Sequence, residues 1–208
     1  MKIPDSIKPF VNEFSKLPGI GPRQAIRLAF YLANRKKAAA DIMAALGTIQ
    51  GLKLCPSCFS THDREDDPSR PPAEAGLCGI CGDRARDKGT VAIVEKETDL
   101  MSIESTQKYN GVYLCLGDIK KAGKLDESQK MKLDSLRARG AAFPSGKLAE
   151  IIIAFSPTTA GDISAEIIAE HLRGSAERIT RLGRGIPIGG EVEFADPDTL
   201  FEAIEGRK

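Results

Sequence analysis

The chain has no tryptophan, and aromatic side chains make up only 5% of its 208 residues. Proteins that bind single-stranded nucleic acid by base stacking need a row of such side chains, so this mode is not expected to dominate. Apolar runs are also short, well below the roughly 18 residues that a membrane-spanning helix requires. Without such a run or a secretory signal, we expect a cytoplasmic protein with no membrane partner.

The chain also lacks a strong excess of either charge, since its net charge is only +1. The distribution of charge is more informative than its sum. Residues 1–54 carry a net charge of +6, whereas residues 55–208 carry a net charge of −5. A polyanion such as DNA would therefore be attracted to the N-terminal region.

Four of the five cysteines form two C-x-x-C pairs, Cys55 with Cys58 and Cys78 with Cys81. The two-residue gap lets both thiolates of a pair turn toward one ion, and two pairs complete a tetrahedral shell that suits zinc. Because no position is left for water, we expect one structural Zn²⁺ per chain. The alternatives are two disulfides, which seldom persist in the cytosol, or four unrelated thiols. His62 is a second candidate ligand.

The segment between the two pairs, residues 59–77, is polar, acidic and rich in proline, which predicts an exposed loop. A module of this size cannot hold a core of its own, so metal binding should supply much of its folding free energy. Cys115, the fifth cysteine, lies within a predicted strand. We interpret it as a small buried apolar residue and not as a nucleophile.

The basic N-terminal region reads as two helices joined by a tight turn. Apolar residues recur at helical spacing over 7–17 and again over 26–33, and L-P-G-I-G-P separates them. Pro22 suits the first turn of the second helix, where its missing N–H costs nothing. A third helix is predicted over 38–50, with its apolar side chains in the core. These side chains are Ile42, Met43, Leu46 and Ile49.

The turn between the first two helices has the properties of a phosphate site. Gly19 and Gly21 permit a tight turn and leave the backbone open to a ligand. The free N–H groups at the start of the second helix would face that ligand, and Arg23 and Arg27 share one face of the same helix. This pattern resembles a helix-hairpin-helix, which binds DNA backbone without reading sequence. An ordinary helical corner with solvated arginines is the alternative.

The rest of the chain alternates strands with helices. Strands are predicted at 90–94, 111–117, 150–155 and 178–182, and helices at 99–108, 126–139 and 162–173. This alternation predicts a mostly parallel sheet covered on both faces.

Polar residues follow two of these strands at the edge where ligands of open α/β sheets bind. Glu95 follows the first strand, and residues 156–162 follow the third. A glutamate after one strand and D-x-D after another resemble the Toprim fold, whose carboxylates hold magnesium. Here Ser156 and Thr158 occupy the D-x-D positions. Glu95 and Asp162 then form a vestigial acidic site, with too few carboxylates for two-metal chemistry.

In chain order the sequence reads as an α+β multidomain protein. It has a helix-hairpin-helix region (1–54), a four-cysteine zinc finger (55–82), a Toprim-like α/β domain (83–178), and a C-terminal strand, glycine-rich arm and helix (179–208). This order resembles the RecR family of bacterial recombination mediators over essentially the full length. The most specific stretches are 17–27, the cysteine pairs, 94–113 and 180–196.

The resemblance implies a non-enzymatic DNA clamp in recombinational repair, forming a ring-shaped homotetramer. It implies that RecO and RecF act with the protein to load the RecA recombinase at single-strand gaps. Arg23 and Arg27 correspond to the family's basic hairpin positions, and the four paired cysteines to its zinc ligands. The chain departs from the family at 117–123 and at Ala160, where a glutamate is typical.

Three alternatives stay open at this point. The first is a magnesium-dependent Toprim nuclease or primase-like enzyme. The second is a zinc-ribbon transcription factor, although no recognition helix rich in Arg, Asn and Gln is evident. The third is nucleotide binding by the glycine-rich residues 183–190, although this segment lacks the Gly-Lys-Ser/Thr ending of a phosphate-binding P-loop. We interpret this segment as an arm that packs against a neighbouring subunit, with nucleotide binding as the alternative.

Overall fold

The computed structural model describes residues 3–63, 75–119 and 123–207. The chain divides into two compact units, Met1–Leu52 and Lys53–Lys208. The predicted exposed loop between the cysteine pairs lies outside the described residues over 64–74. None of the described helices has the length and apolarity needed to cross a membrane.

The N-terminal unit is helical. A 3-10 turn, Asp5–Ile7, precedes α1 (Lys8–Phe14), α2 (Pro22–Ala33) and α3 (Lys36–Ile49). Helix α2 buries Ala25 and Ala29, which lie one turn apart and share a face. The predicted stripe included Phe30, but its side chain is exposed. The buried face of α2 is thus formed by small side chains, which let a neighbouring helix approach closely. On α1, the rings of Phe10 and Phe14 stack with their centres 3.9 Å apart.

The prediction that the apolar side chains of α3 lie in the core is wrong. Met43 is 72% exposed and Ile49 is 59% exposed, and Ile42 and Leu46 are also exposed. The apolar periodicity of α3 is real, but within this small unit no further described element covers that face. Amphipathic spacing therefore predicted the helix and not its burial.

The second unit contains a ribbon of two short strands, a parallel sheet and five helices among its described residues. Its elements are β1 (Lys53–Leu54), β2 (Thr61–His62), α4 (Gly79–Gly82), β3 (Asp87–Val94), α5 (Glu97–Ser105), β4 (Gly111–Cys115), α6 (Glu127–Ala141), β5 (Leu148–Ala154), α7 (Thr159–His171), β6 (Ala176–Arg181) and α8 (Pro197–Glu205). A 3-10 turn, Val192–Phe194, precedes α8. The four predicted strands and three predicted helices are confirmed, with ends that differ by up to three residues.

The main sheet has the strand order β4-β3-β5-β6, and all its pairs are parallel. Val91 lies opposite Val112 on β4 and Ile151 on β5, in the middle of one apolar cluster. That cluster includes Leu133 of α6 and Ile168 of α7. Because successive strand residues point to opposite faces, the residues that alternate with Val91 along β3 belong to a second cluster. The predicted parallel sheet, covered on both faces, is confirmed.

The second cluster joins the sheet to the cysteines. Ala92 and Val94 of β3 and Tyr113 of β4 pack in it with Leu100 of α5 and with the four paired cysteines. The cysteine module thus shares its apolar contacts with the α/β sheet. This agrees with the expectation that it cannot hold a core of its own.

A partly buried ion pair connects the start of β3 to α5 and β4. Arg86 donates to both carboxylate oxygens of Glu104, at 2.5 and 2.8 Å, and the hydroxyl of Tyr113 donates to the same carboxylate at 2.6 Å. The hydrogen bonds from Arg86, followed by that from Tyr113, hold the pKa of Glu104 below its ordinary range against the effect of burial.

We expect Glu104→Gln to lower the free energy of unfolding at neutral pH by about 2 kcal/mol, because it removes charge-assisted bonds at a partly buried site. The carboxylate has a depressed pKa when folded, so its contribution is complete above the ordinary glutamate pKa and is lost as pH falls through the folded value. Urea unfolding at neutral pH and at acidic pH measures both effects. Glu127→Gln, in the exposed pair with Lys130, is the control and should change little. An equal loss in both variants would contradict the prediction.

Candidate metal centre and nucleic-acid interface

The first cysteine pair lies in the turn between β1 and β2. The amide of Cys55 donates to the carbonyl of Ser60, and the amide of Phe59 donates to the carbonyl of Cys55, both at 2.9 Å. Phe59 has a φ of +59°, the left-handed conformation that closes this turn. The turn brings Cys58 back toward Cys55, so the short ribbon presents both sulfurs on one side.

The second pair lies on α4, where Cys78 is the N-cap residue. The amide of Cys81 donates to the sulfur of Cys78, and the amide of Cys78 donates to the sulfur of Cys55, both at 3.4 Å. Backbone N–H groups directed at sulfur stabilise the thiolate form. The two pairs are therefore joined by a hydrogen bond to a ligand sulfur as well as by proximity.

The four sulfurs meet in one buried cluster, all within 4.8 Å of one another. The sulfurs of Cys58 and Cys78 lie 3.6 Å apart, and none of the four cysteines forms a disulfide. Hydrogen bonds from the Cys58 thiol, and then from Cys78 and Cys81, hold the pKa of Cys55 below its ordinary range. The same hydrogen bond between the two side chains raises the pKa of Cys58. This donor set can hold a metal ion.

The other candidate ligand, His62, takes no part in the cluster. Its Nε2 lies 3.1 Å from the carbonyl oxygen of Gly76, and the group of possible ligands among the described residues consists of the four cysteines. Cys115 is also separate, although its amide donates to the carbonyl of Cys58 at 2.7 Å. Burial raises the pKa of the Cys115 thiol to about 12. The interpretation of Cys115 as a buried apolar residue agrees with both observations.

The hairpin between α1 and α2 has the backbone that the sequence predicted. Gly19 adopts a φ of +77°, and Gly21 is the N-cap of α2 with Pro22 as the first helical residue. No side chain caps this helix among the described residues, so the N–H groups of its first turn are available to a ligand. Arg23 and Arg27 are exposed, and neither forms an ion pair found in the described part of the chain.

The two acids of the vestigial Toprim site have separate partners. Burial, and then the neighbouring carboxyl group of Asp118, raise the pKa of Glu95. Asp162 accepts bonds from Arg181 and Arg184, which hold its pKa below the ordinary range. Over residues 3–63, 75–119 and 123–207, no group of three carboxylates is arranged to hold a metal.

Sequence reasoning did not identify Asp118, Arg181 and Arg184 as members of this edge. Asp118 follows β4 as Glu95 follows β3, and the amide of Gly117 donates to the carbonyl of Glu95 at 3.1 Å. Because β3 and β4 are parallel neighbours, the order of the strands would have placed these acids together. Arg181, the last residue of the parallel strand β6, carries the same signal, whereas Arg184 lies in the segment after the strand and carries none.

Three protein-family models match the chain. One describes the RecR helix-hairpin-helix and matches residues 7–48, one describes a Toprim domain and matches 89–183, and one describes the RecR C-terminal region and matches 185–208. Together they match parts of both compact units, and residues 49–88, which include the two cysteine pairs, lie outside the three matches. They follow the order of elements that the sequence predicted.

Curated relatives match over nearly the whole chain. A protein named Recombination protein RecR from Chloroflexus aurantiacus is 37% identical over 201 residues, covering 95% of this chain and 91% of its own. Proteins of the same name from Thermus thermophilus and Lacticaseibacillus casei are 34% and 32% identical, and each covers 100% of this chain. Of their own lengths, 99% and 98% are covered.

We expect the purified protein to hold about one metal ion per chain, and Cys58→Ser to lose it, because a neutral hydroxyl cannot replace a thiolate ligand. Metal content measured by inductively coupled plasma mass spectrometry tests this. Cys115→Ser is the matched control, since Cys115 is also buried in the same apolar cluster but lies outside the ligand group. Retention of metal by the Cys58 variant, or its loss from both, would contradict the assignment.

Proposed function

Because the chain belongs to the RecR family of recombination proteins, we propose that it acts as a non-enzymatic DNA-binding clamp in the repair of single-strand gaps. The observation that carries this proposal is the hairpin before α2. It combines an uncapped helix start, a glycine turn and two exposed arginines within the segment that matches the RecR helix-hairpin-helix. The free N–H groups at the start of a helix bind a phosphate group and make no contact with the bases, so the proposed binding is independent of DNA sequence.

We propose Gly19, Gly21, Arg23 and Arg27 as the DNA-contacting residues. The two glycines let the DNA backbone approach the chain, and the arginines supply positive charge on one helix face. Gapped duplexes, where single and double strands meet, are the proposed substrate. The basic charge of residues 1–54 favours the same partner, since the rest of the chain carries a net negative charge.

We propose that the ion held by Cys55, Cys58, Cys78 and Cys81 is Zn²⁺ in a structural role. Four sulfur ligands in one cluster suit tetrahedral zinc and leave no open coordination position for a substrate. The ion would join two short turns that have few apolar side chains of their own. Its proposed contribution is the folding of the module and the attachment of that module to the sheet.

We also propose that the chain assembles into a homotetrameric ring. Two apolar surfaces support self-association, one in each unit. In the N-terminal unit a groove of about 470 Å³ is lined by Phe10, Phe14, Ile42, Met43 and Leu46. In the second unit the segment after β6 and helix α8 expose Ile188, Phe194 and Phe201. Large apolar side chains exposed in this way are typical of protein interfaces.

As partners in the cytoplasm we propose RecO and RecF, with RecA as the recombinase that is loaded. The support for these partners is membership of the family and the match across both units. The alternative is a magnesium-dependent nuclease or primase-like enzyme, which the Toprim match and the presence of Glu95 and Asp162 favour. The engagement of Asp162 by two arginines, and Ser156 and Thr158 at the other acidic positions, support the non-enzymatic role.

We expect Arg23→Ala/Arg27→Ala to lose most of its affinity for a gapped duplex, because two phosphate contacts are removed. A plot of log affinity against log salt concentration should become less steep, its slope decreasing in magnitude by about 2, since each contact with duplex phosphate contributes roughly 0.9. Fluorescence anisotropy at several salt concentrations measures both. Lys8→Ala/Lys16→Ala, which removes the same charge from α1 and the turn after it, is the control and should retain affinity. Unchanged binding in the arginine variant would show that the hairpin is only a structural corner.

We expect no cleavage and no primer synthesis when the purified protein is incubated with labelled gapped DNA, nucleotides and Mg²⁺. The chain offers only Glu95 and Asp162 at the former acidic positions, and a two-metal reaction needs more carboxylates. Gel analysis of the DNA over time measures the reaction. Turnover that Glu95→Gln abolishes would overturn the clamp proposal in favour of the enzyme, whereas turnover that the variant keeps would indicate a contaminant.

A further inference from the structure

Arg139, in the last turn of α6, places a cation beside the buried cysteine cluster. Its Nη1 donates to the side chain of Ser57 at 2.9 Å, and Ser57 lies between the two cysteines of the first pair. Its Nε and Nη2 atoms are buried, and neither has a hydrogen-bond acceptor among the described residues. A buried guanidinium with two unpartnered nitrogens is costly unless it lies near negative charge.

The cysteine cluster is the nearest candidate for that negative charge, because Ser57, to which Arg139 donates, lies between Cys55 and Cys58. Burial lowers the pKa of Arg139, and the charges of Cys81, Cys58 and Cys55 act in the opposite direction. A divalent ion held by four thiolates carries a net charge of about −2, which is buried with its ligands. The amides of Cys78 and Cys81 direct two N–H groups at sulfur, but they carry no full positive charge.

We propose that Arg139 is the counter-ion of the metal centre, a positioning residue that stabilises the tetrathiolate without binding the metal. Each partner then offsets the desolvation of the other. Arginine suits the role because it keeps its charge when buried, which lysine does less well. Groups that surround a metal site in this way typically change metal affinity by about 10–100-fold when they are removed. This role rests on the proposed zinc site.

A neighbouring contact shows that α6 also holds this module by other means. The ammonium of Lys132 lies 5.5 Å from the ring centre of Phe59, directly after Cys58, and donates to the carbonyl of Cys115 at 2.9 Å. Lys132 therefore contacts a ring and carbonyl oxygens. Arg139 instead bonds to Ser57, between two of the cysteines, and two of its nitrogens have no acceptor among the described residues. A purely mechanical brace would need the bond to Ser57 and not the charge.

Four variants separate charge from mechanical bracing. Arg139→Gln removes the charge but retains a donor for Ser57, and Arg139→Lys retains the charge. Ser57→Ala deletes the hydrogen bond alone. Arg137→Gln removes the same charge from the same helix, at a side chain that bonds to the carbonyl of His171. If Arg139→Gln fails to fold because it buries an unpaired amide, Arg139→Met removes the charge without that amide and takes its place.

The experiment measures zinc content and then zinc affinity by competition with a chromogenic chelator, using the full-length protein. We expect Arg139→Gln to bind zinc about 10–100-fold more weakly. Arg139→Lys should recover most of the loss, and Ser57→Ala and Arg137→Gln should match the wild type. The sulfur-to-cobalt charge-transfer band of the Co²⁺-substituted protein should shift in Arg139→Gln, because the charge near the sulfurs has changed.

Wild-type affinity in Arg139→Gln would overturn the role of Arg139 and leave the zinc site standing. An equal loss in Arg139→Lys or Ser57→Ala would also overturn it, in favour of hydrogen-bond geometry or bracing. A wild-type protein that binds no zinc would overturn both the proposed metal site and this role. The failure of the inference and the failure of the proposed function are therefore distinguishable.

Discussion

The burial of four cysteine sulfurs against a parallel sheet is the constraint on which the second unit depends. The sulfurs lie within 4.8 Å of one another inside an apolar cluster that includes Ala92, Val94 and Tyr113. Ionised thiolates at that separation repel one another, and neutral thiols contribute only weak hydrogen bonds. A cation bound to the four sulfurs would remove this repulsion. Because the sulfurs pack against the sheet, such an ion would stabilise the face of the sheet that α5 covers as well as the two short cysteine turns.

The carboxylates at the carboxyl edge of the sheet bear directly on the choice between the clamp and the enzyme proposals. In a Toprim enzyme, carboxylates at this edge must be free to bind magnesium. Here Arg181 and Arg184 both donate to Asp162 and lower its pKa, whereas burial and the neighbouring Asp118 raise the pKa of Glu95. A carboxylate that already has two guanidinium partners gains little from a metal ion, and a carboxyl with a raised pKa is a weaker ligand for a hard cation. These local contacts support the clamp proposal over the enzymatic one without reference to the family.

The sequence was most informative where a property depends on close neighbours along the chain. The spacing within the two cysteine pairs predicted one cluster, and Gly19, Gly21 and Pro22 predicted the turn and helix start that the structure has. The alternation of strands and helices predicted the parallel sheet. Properties that depend on distant residues were not accessible, because periodicity shows that α3 has an apolar face and not whether another element covers it. The contact of Arg139 with Ser57, 82 positions earlier, has no local signal at all.

The exposed face of α3 then acquires a meaning that its periodicity alone could not give. A helix with Met43 and Ile49 largely exposed leaves apolar surface in water, which a stable monomer rarely does over a contiguous patch. Intrinsic helix propensity does not require these residues, since α3 already contains five alanines, the best helix former. Burial of this face of α3 in an assembly would explain both the regular spacing of its apolar side chains and why the chain tolerates the unfavourable free energy of exposing them to water. The proposed ring around DNA needs interfaces as well as phosphate contacts, and in the N-terminal unit the exposed apolar side chains and the basic hairpin are our candidates for one of each.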